Sequence, residues 1–169
     1  GLTTGLIFYV TQDRGLGTAV VGVVLSAFAL GALGGSVLAA RMAPRAVGPV
    51  MLGGAVGFGL TLIISVGATV PLMVAMALLA GILNANVLVA YVSLRTMLSP
   101  DALLGRIGAT ARTLSVGLMP IGALVAGILL DTIGGGPTLA LMGLGLVAAG
   151  ACFALLPDVR GARIARAGA

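Results

Sequence analysis

The sequence predicts an all-α protein whose helices cross a membrane several times. Of its 169 residues, 60% are apolar and only 8% are charged, whereas a soluble domain carries roughly a quarter charged residues. Long uncharged stretches, such as residues 46–94, separate the charges. Almost all of the arginines lie in every second connection between the predicted helices. A soluble globular domain is therefore excluded, and so is a disordered chain, because disordered chains are poor in apolar residues.

The uncharged stretches divide into helices by their length and their breaks. About 20 apolar residues cross a hydrocarbon core of roughly 30 Å, so residues 15–40 hold one span. Residues 46–94 are too long for one helix, and the segment GATVP at 67–71 predicts the break, because glycine ends helices and proline suits a first turn. Asp131 and the turn GGGP at 134–137 separate the last two spans. The predicted spans are 17–40, 48–67, 70–94, 108–130 and 136–156.

The sequence predicts part of a membrane span at the start of the chain and a tail at its end. Residues 1–12 are apolar but too short to cross alone, and they lack the features of a signal peptide. We expect them to be the last part of a span that begins upstream. Residues 1–157 then form one six-helix transmembrane domain, and residues 158–169 form a polar tail.

Arginine placement predicts the orientation. With these spans, Arg14 beside Asp13 is the one arginine on its side, and eight of the nine basic residues lie on the other side. The positive-inside rule makes that side cytoplasmic. We therefore expect a multi-pass protein of the cell (cytoplasmic) membrane with its C-terminus inside. The eight are Arg41, Arg45, Arg95, Arg106, Arg112, Arg160, Arg163 and Arg166.

Several chemistries are excluded by composition. The chain has no His and one Cys, so it offers neither an imidazole base nor a metal site of its own. All four acidic residues lie at predicted helix ends or in loops, so no proton-carrying carboxylate is expected at mid-membrane. Aromatic residues make up 4%, too few for a base-stacking nucleic-acid surface. We expect no enzyme activity, no cofactor, no bound metal and no nucleic acid; the surrounding partner is membrane lipid.

Small residues mark candidate packing seams between helices. Membrane helices associate through close packing, and Ala27, Gly31 and Gly35 repeat at four-residue spacing, as do Gly53 and Gly57. Because glycine is common in this chain, any single pair also fits chance. Pro120 predicts a kink in its helix, either as a hinge or as a feature of shape.

Polar residues at mid-membrane are the candidates for binding a solute, because burying them in lipid is costly. Asn84, Tyr91 and Arg95 share one helix face, while Asn86 lies on roughly the opposite side. One face would line a cavity while the other bonds a neighbouring helix; alternatively, both asparagines join helices. Four further residues at mid-depth fit either packing or binding: Ser26, Phe28, Ser115 and Met119.

The cytoplasmic loop after residue 98 carries a second candidate function. Ser99, Pro100 and Asp101 read as the cap and first turn of a short helix that ends near Gly105. Its charges, with Arg106 and Arg112 after them, would form ion pairs that exchange during a conformational cycle. The alternative is an orientation signal and a helix cap.

The segment LRTMLSPDALLGR at residues 94–106 resembles the loop between the tenth and eleventh helices of major facilitator superfamily transporters, in the branch of macrolide-efflux and siderophore-export proteins. Residues 111–112, 120–123 and 127–131 continue the likeness. Residues 35–41, with Arg45, resemble a degenerate cytoplasmic loop signature of that family. Ala40 stands where the family has Asp, which leaves Arg41 and Arg45 as orientation signals.

The resemblance implies the C-terminal half of a twelve-helix bundle, helices seven to twelve. It also implies a second six-helix half, alternating access to a central cavity and a small organic substrate. Any coupling to protons would have to reside in that other half, because this chain has no carboxylate at mid-membrane. We therefore expect a fragment of a secondary active transporter, an efflux antiporter for moderately apolar compounds. The alternatives are a structural or channel-forming membrane subunit and, with much less support, a membrane-embedded enzyme.

Overall fold

The computed structural model describes residues 2–42, 47–98 and 104–155. These residues form an all-helical bundle and contain no strand, so the predicted all-α class is confirmed. The helices are α1 (Leu2–Phe8), which continues into a π-helical turn (Tyr9–Asp13), α2 (Thr18–Met42), α3 (Val47–Ser65), α4 (Val70–Leu98), α5 (Leu104–Ile133) and α6 (Gly135–Ala154).

Five of these helices, α2 to α6, are long and apolar enough to cross a membrane. Many of their outward side chains are large and apolar, and Leu33, Leu124 and Leu144 are each more than half exposed. Water would oppose such a surface, whereas lipid tails accommodate it. The described chain is therefore compatible with a multi-pass membrane protein.

Two turns lie where glycine and proline predict them. Gly67 lies in the α3–α4 connection with a φ of 79°, and Gly134 precedes α6 with a φ of 81°. Residues with a Cβ rarely adopt this left-handed backbone conformation, so glycine is the residue that forms both turns without strain. Pro71 follows in the first turn of α4, where its missing N–H costs no helical hydrogen bond.

The packing has α4 at its centre. Helix α4 lies along α2 on one side and along α3 on the other, and α3 also packs along α6. Close backbone approach makes these contacts: a Cβ on Gly35 would lie 2.7 Å from the Cα of Ile82 in α4. Gly59 of α3 and Gly143 of α6 meet in the same way. Glycine thus forms the seams, as small residues do in membrane bundles.

Helix α5 is attached differently from the others. It contacts α1 and α6, and Ala126 and Leu130 near its end are buried. Residues 116–125, which include Pro120, are exposed throughout. The C-terminal third of α5 therefore holds its buried contacts with the rest of the described chain, and Arg95 of α4 packs near its start.

Some details differ from the sequence predictions. Helix α5 begins at Leu104, so Gly105 lies inside its first turn and does not end a short helix. Gly57 packs against Leu83 as a seam residue would, but Gly53 faces open space and its neighbour Gly54 packs against Val87 instead. The reason is helical register: residues 54 and 57 lie on either side of the line that faces α4, and residue 53 lies about 70° from that line. Residues 158–169, the predicted tail, lie outside the described residues.

Candidate functional site

A cavity of about 270 Å³ lies among the helices. It reaches from Asn84, at the middle of α4, to Ser65, at the end of α3, and α1, α2 and α6 close its other sides. Its lining residues are Leu2, Thr3, Leu6, Val24, Leu25, Phe28, Phe58, Thr61, Leu62, Ser65, Met73, Met76, Ala77, Ala80, Asn84 and Leu139.

Helix α3 contributes two hydroxyl groups to the wall. Thr61 is only 3% exposed, and its hydroxyl donates a hydrogen bond to the carbonyl of Phe58 at 2.7 Å. The Ser65 hydroxyl donates to the carbonyl of Thr61, also at 2.7 Å. A hydroxyl has one proton and two lone pairs. Because each proton is already used within the helix, both oxygens can serve a cavity occupant only as acceptors.

Asn84 supplies the one amide of the wall. It lies at the midpoint of α4, and its side chain is exposed. A primary amide has both donor and acceptor groups, so Asn84 can pair with either kind of polar group. In the middle of a membrane such a group is costly unless it meets water, protein or a bound solute.

Aromatic rings and thioethers make up the rest of the distinctive surface. The rings of Phe28 and Phe58 lie 6.5 Å apart between centroids and are tilted by 50°, a separation within the range over which aromatic pairs interact. Met73 is 1% exposed, and Met76 joins it in the wall. Thioether groups fill irregular space and contact aromatic rings favourably.

Among the residues that the structure describes, the wall contains no ionisable side chain. Moving a charge from water into such surroundings costs several kcal/mol unless a partner is present. The cavity is therefore electrostatically suited to neutral molecules.

The structure brings two of the predicted residues, Asn84 and Phe28, to this cavity. Ser26, Tyr91 and Met119 are exposed on the outside of their helices, and none of them lines it. The amide of Asn86 donates to the carbonyl of Ile82 in its own helix at 2.7 Å. The side chain of Ser115 lies outside the described part of the structure.

Arg95 is placed away from the cavity. Its Nη2 atom lies 3.1 Å from the position that a Cβ on Gly108 would take, so its guanidinium packs on the first turns of α5. Its Nε is buried and finds no hydrogen-bond partner among the described residues. Arg95 therefore joins the C-terminal end of α4 to the N-terminal end of α5, about three helical turns from Asn84.

Three of the five predicted gating residues lie in the described part of the structure. Arg41, Arg106 and Arg112 are exposed. Arg45 and Asp101 lie outside the described residues, so the expected ion pairs of this loop stay a prediction.

The opposite end of the bundle has a polar cluster around the π-helical turn. The Tyr9 phenol oxygen accepts hydrogen bonds from the backbone N–H of Gly67 at 2.7 Å and from Arg14 at 3.1 Å. Asp13 Oδ2 accepts from the N–H of Gly136 at 2.9 Å. This turn thus ties the α3–α4 connection and the start of α6 to α1.

Sequence reasoning missed Phe58, Thr61 and Ser65. Their signal was present: spacings of three and four residues place them on one face of α3. Helix α3 is apolar on all sides, so no pattern distinguishes that face from the others. Hydroxyl groups that bond the backbone of their own helix are also common, and they do not by themselves indicate a site.

Comparison with protein-family models, with curated proteins and with solved structures finds no match to this chain. Within the described residues, no group of three or more His, Cys, Asp or Glu side chains is placed to hold a metal ion.

Proposed function

We propose that this chain is part of a secondary active transporter that exports moderately apolar organic compounds by alternating access. The observation that carries the proposal is the cavity at the level of Asn84, which lies among helices long and apolar enough to span a membrane. Transporters bind their substrates near the bilayer midplane.

The chemistry of the wall supports a solute of this class. Its surface is mostly aliphatic, aromatic and thioether, with a few hydroxyl groups and one amide. Small-molecule sites typically combine an apolar lining with a few polar groups that fix orientation. A pore for ions would instead need a continuous polar path along the helices.

The remaining parts of the proposal rest on the resemblance and on arginine placement. Export as the direction and a second six-helix half follow from the likeness to major facilitator superfamily transporters, and any coupling to protons would reside in that other half. A C-terminus on the cytoplasmic side of the cell membrane follows from the positions of the eight arginines.

The test is energised efflux of a neutral fluorescent compound. Cells that carry the full-length protein are loaded with N-phenyl-1-naphthylamine without an energy source and then re-energised, and the loss of fluorescence is followed. Asn84→Leu removes the cavity amide, and we expect efflux to fall by roughly fivefold or more, the worth of about one hydrogen bond.

Asn86→Leu is the matched control. It makes the same chemical change two residues away on the same helix, where the amide bonds the carbonyl of Ile82 and does not reach the cavity. We expect efflux within twofold of the unmodified protein. Equal efflux by both variants and the parent, or efflux that needs no energy source, would contradict the proposal.

A further inference from the structure

The cavity has a combination of features that specifies its occupant more narrowly than an apolar compound. Three hydroxyl groups (Thr3, Thr61 and Ser65), two aromatic rings and two thioethers line it, and no charged side chain does so among the described residues. We propose that it binds a neutral one- or two-ring aromatic molecule with a hydrogen-bond donor, such as a phenol or an indole, which donates to Thr61 or Ser65. This inference rests on the proposed transport function, because it names the substrate class of the same cavity.

The size of the cavity sets the number of rings. A cavity of about 150 Å³ in an apolar protein core accommodates one benzene. At about 270 Å³, this cavity is larger than that and lies just below the range of roughly 300–1,000 Å³ for drug-sized ligands. One ring with substituents or two fused rings fits this volume.

The ring preference follows from the neighbours. The rings of Phe28 in α2 and Phe58 in α3 both line the cavity and are tilted by 50° to each other. Aromatic pairs in such arrangements gain stabilisation beyond the area that they bury. Met73 and Met76 add sulfur contacts, which favour an aromatic ring over an aliphatic one of equal size.

The donor preference follows from the hydrogen-bond pattern of α3. The protons of Thr61 and Ser65 point to the carbonyls of Phe58 and Thr61. A ligand hydroxyl or N–H would find an acceptor on either oxygen, whereas a ligand with acceptors alone would find no donor there. Asn84 lies at the other end of the wall and offers both groups.

The charge preference follows from the lining, which has no ionisable group. A carboxylate that enters without a partner would lose several kcal/mol of hydration. That penalty corresponds to binding weaker by a factor of more than about 100.

Three naphthalene derivatives test these preferences separately. 1-Naphthol is neutral and donates, naphthalene is neutral and has no donor, and 1-naphthoate is charged. Saturable binding is measured on the full-length protein in lipid nanodiscs, with empty nanodiscs subtracted to remove partition into lipid.

Thr61→Val and Ser65→Ala each remove one acceptor. We expect the double variant Thr61→Val/Ser65→Ala to bind 1-naphthol about fivefold more weakly, the worth of one hydrogen bond, and to bind naphthalene within twofold of the parent. Thr132→Val is the matched control. Thr132 donates to the carbonyl of Ile128 in the same local geometry but does not line the cavity, so its affinity for both compounds should stay unchanged.

The outcomes separate this inference from the transport proposal. Saturable binding of 1-naphthol that is selectively weakened in the double variant supports the inference, even where energised efflux is absent and the transport proposal fails. An equal loss of affinity for naphthol and naphthalene, binding of 1-naphthoate as tight as that of naphthol, or no saturable naphthol binding in a protein that does transport would overturn it. The single variants give the same comparison if the double variant fails to fold.

Discussion

The seam between α2 and α4 gives a quantitative prediction for Gly35→Ala. A Cβ on Gly35 would lie 2.7 Å from both the Cα and the carbonyl oxygen of Ile82, where ordinary contacts begin at 3.4 Å. Relieving the contact therefore needs the helices to separate by the difference, about 0.7 Å. Because both opposing atoms belong to the backbone, no side-chain rotation can relieve it. Overpacking of this kind costs about 1–3 kcal/mol, against a gain of about 0.5–1 kcal/mol from replacing glycine in a helix.

We expect a net loss of about 1–2 kcal/mol in the free energy of unfolding. The assay is titration of the purified full-length protein with sodium dodecyl sulfate in mixed micelles, followed by the loss of helical circular dichroism. Gly34→Ala is the matched control, since a Cβ there meets nothing within 4 Å. Its stability should stay equal to that of the parent or rise. The reasoning is refuted if Gly35→Ala and Gly34→Ala unfold at the same detergent fraction.

The polar cluster beside the π-helical turn gives two further predictions, read by the same titration. Tyr9→Phe leaves the backbone N–H of Gly67 without its acceptor and should lower the free energy of unfolding by about 1–3 kcal/mol. Tyr91→Phe removes an exposed phenol and should change it by less than about 0.5 kcal/mol. Equal effects would contradict the cluster. Asp13→Ala removes the acceptor at the start of α6 and should cost about 0.5–2 kcal/mol, whereas Asp131→Ala, an exposed carboxylate, should change little; a silent Asp13→Ala would argue against the cap.

The helices and their turns were largely predictable because their causes are local. The chain has to end α3 near Gly67 and begin α6 after Gly134, since both positions need a left-handed backbone. The uncharged lengths then leave room for five spans. Helix boundaries near charges were less predictable: α5 begins at Leu104, ahead of the predicted residue 108, because Gly105 and Arg106 are tolerated in a first turn.

The site was predictable only in part because its location depends on how helices rotate against each other. A polar residue at mid-depth pointed to Asn84, and that residue does line the cavity. Tyr91 and Arg95 share its face on an ideal helix, yet Tyr91 lies at the exposed surface and Arg95 packs on Gly108 of α5. The contribution of α3 was hidden because its helix is apolar all round, so no amphipathic pattern marks the inward face.

The central claim is that a water-reachable cavity lies inside a membrane-spanning bundle, and thiol accessibility tests it most directly. The single cysteine, Cys152, is exposed and is first replaced by serine in the full-length protein. Asn84→Cys and Leu144→Cys are then treated in native membranes with a small charged methanethiosulfonate, which reacts with thiolates in contact with water. The account predicts modification at position 84 more than about tenfold faster than at position 144, which lies on the outward side of α6. Equal rates at the two positions, or protection of position 84, would contradict it.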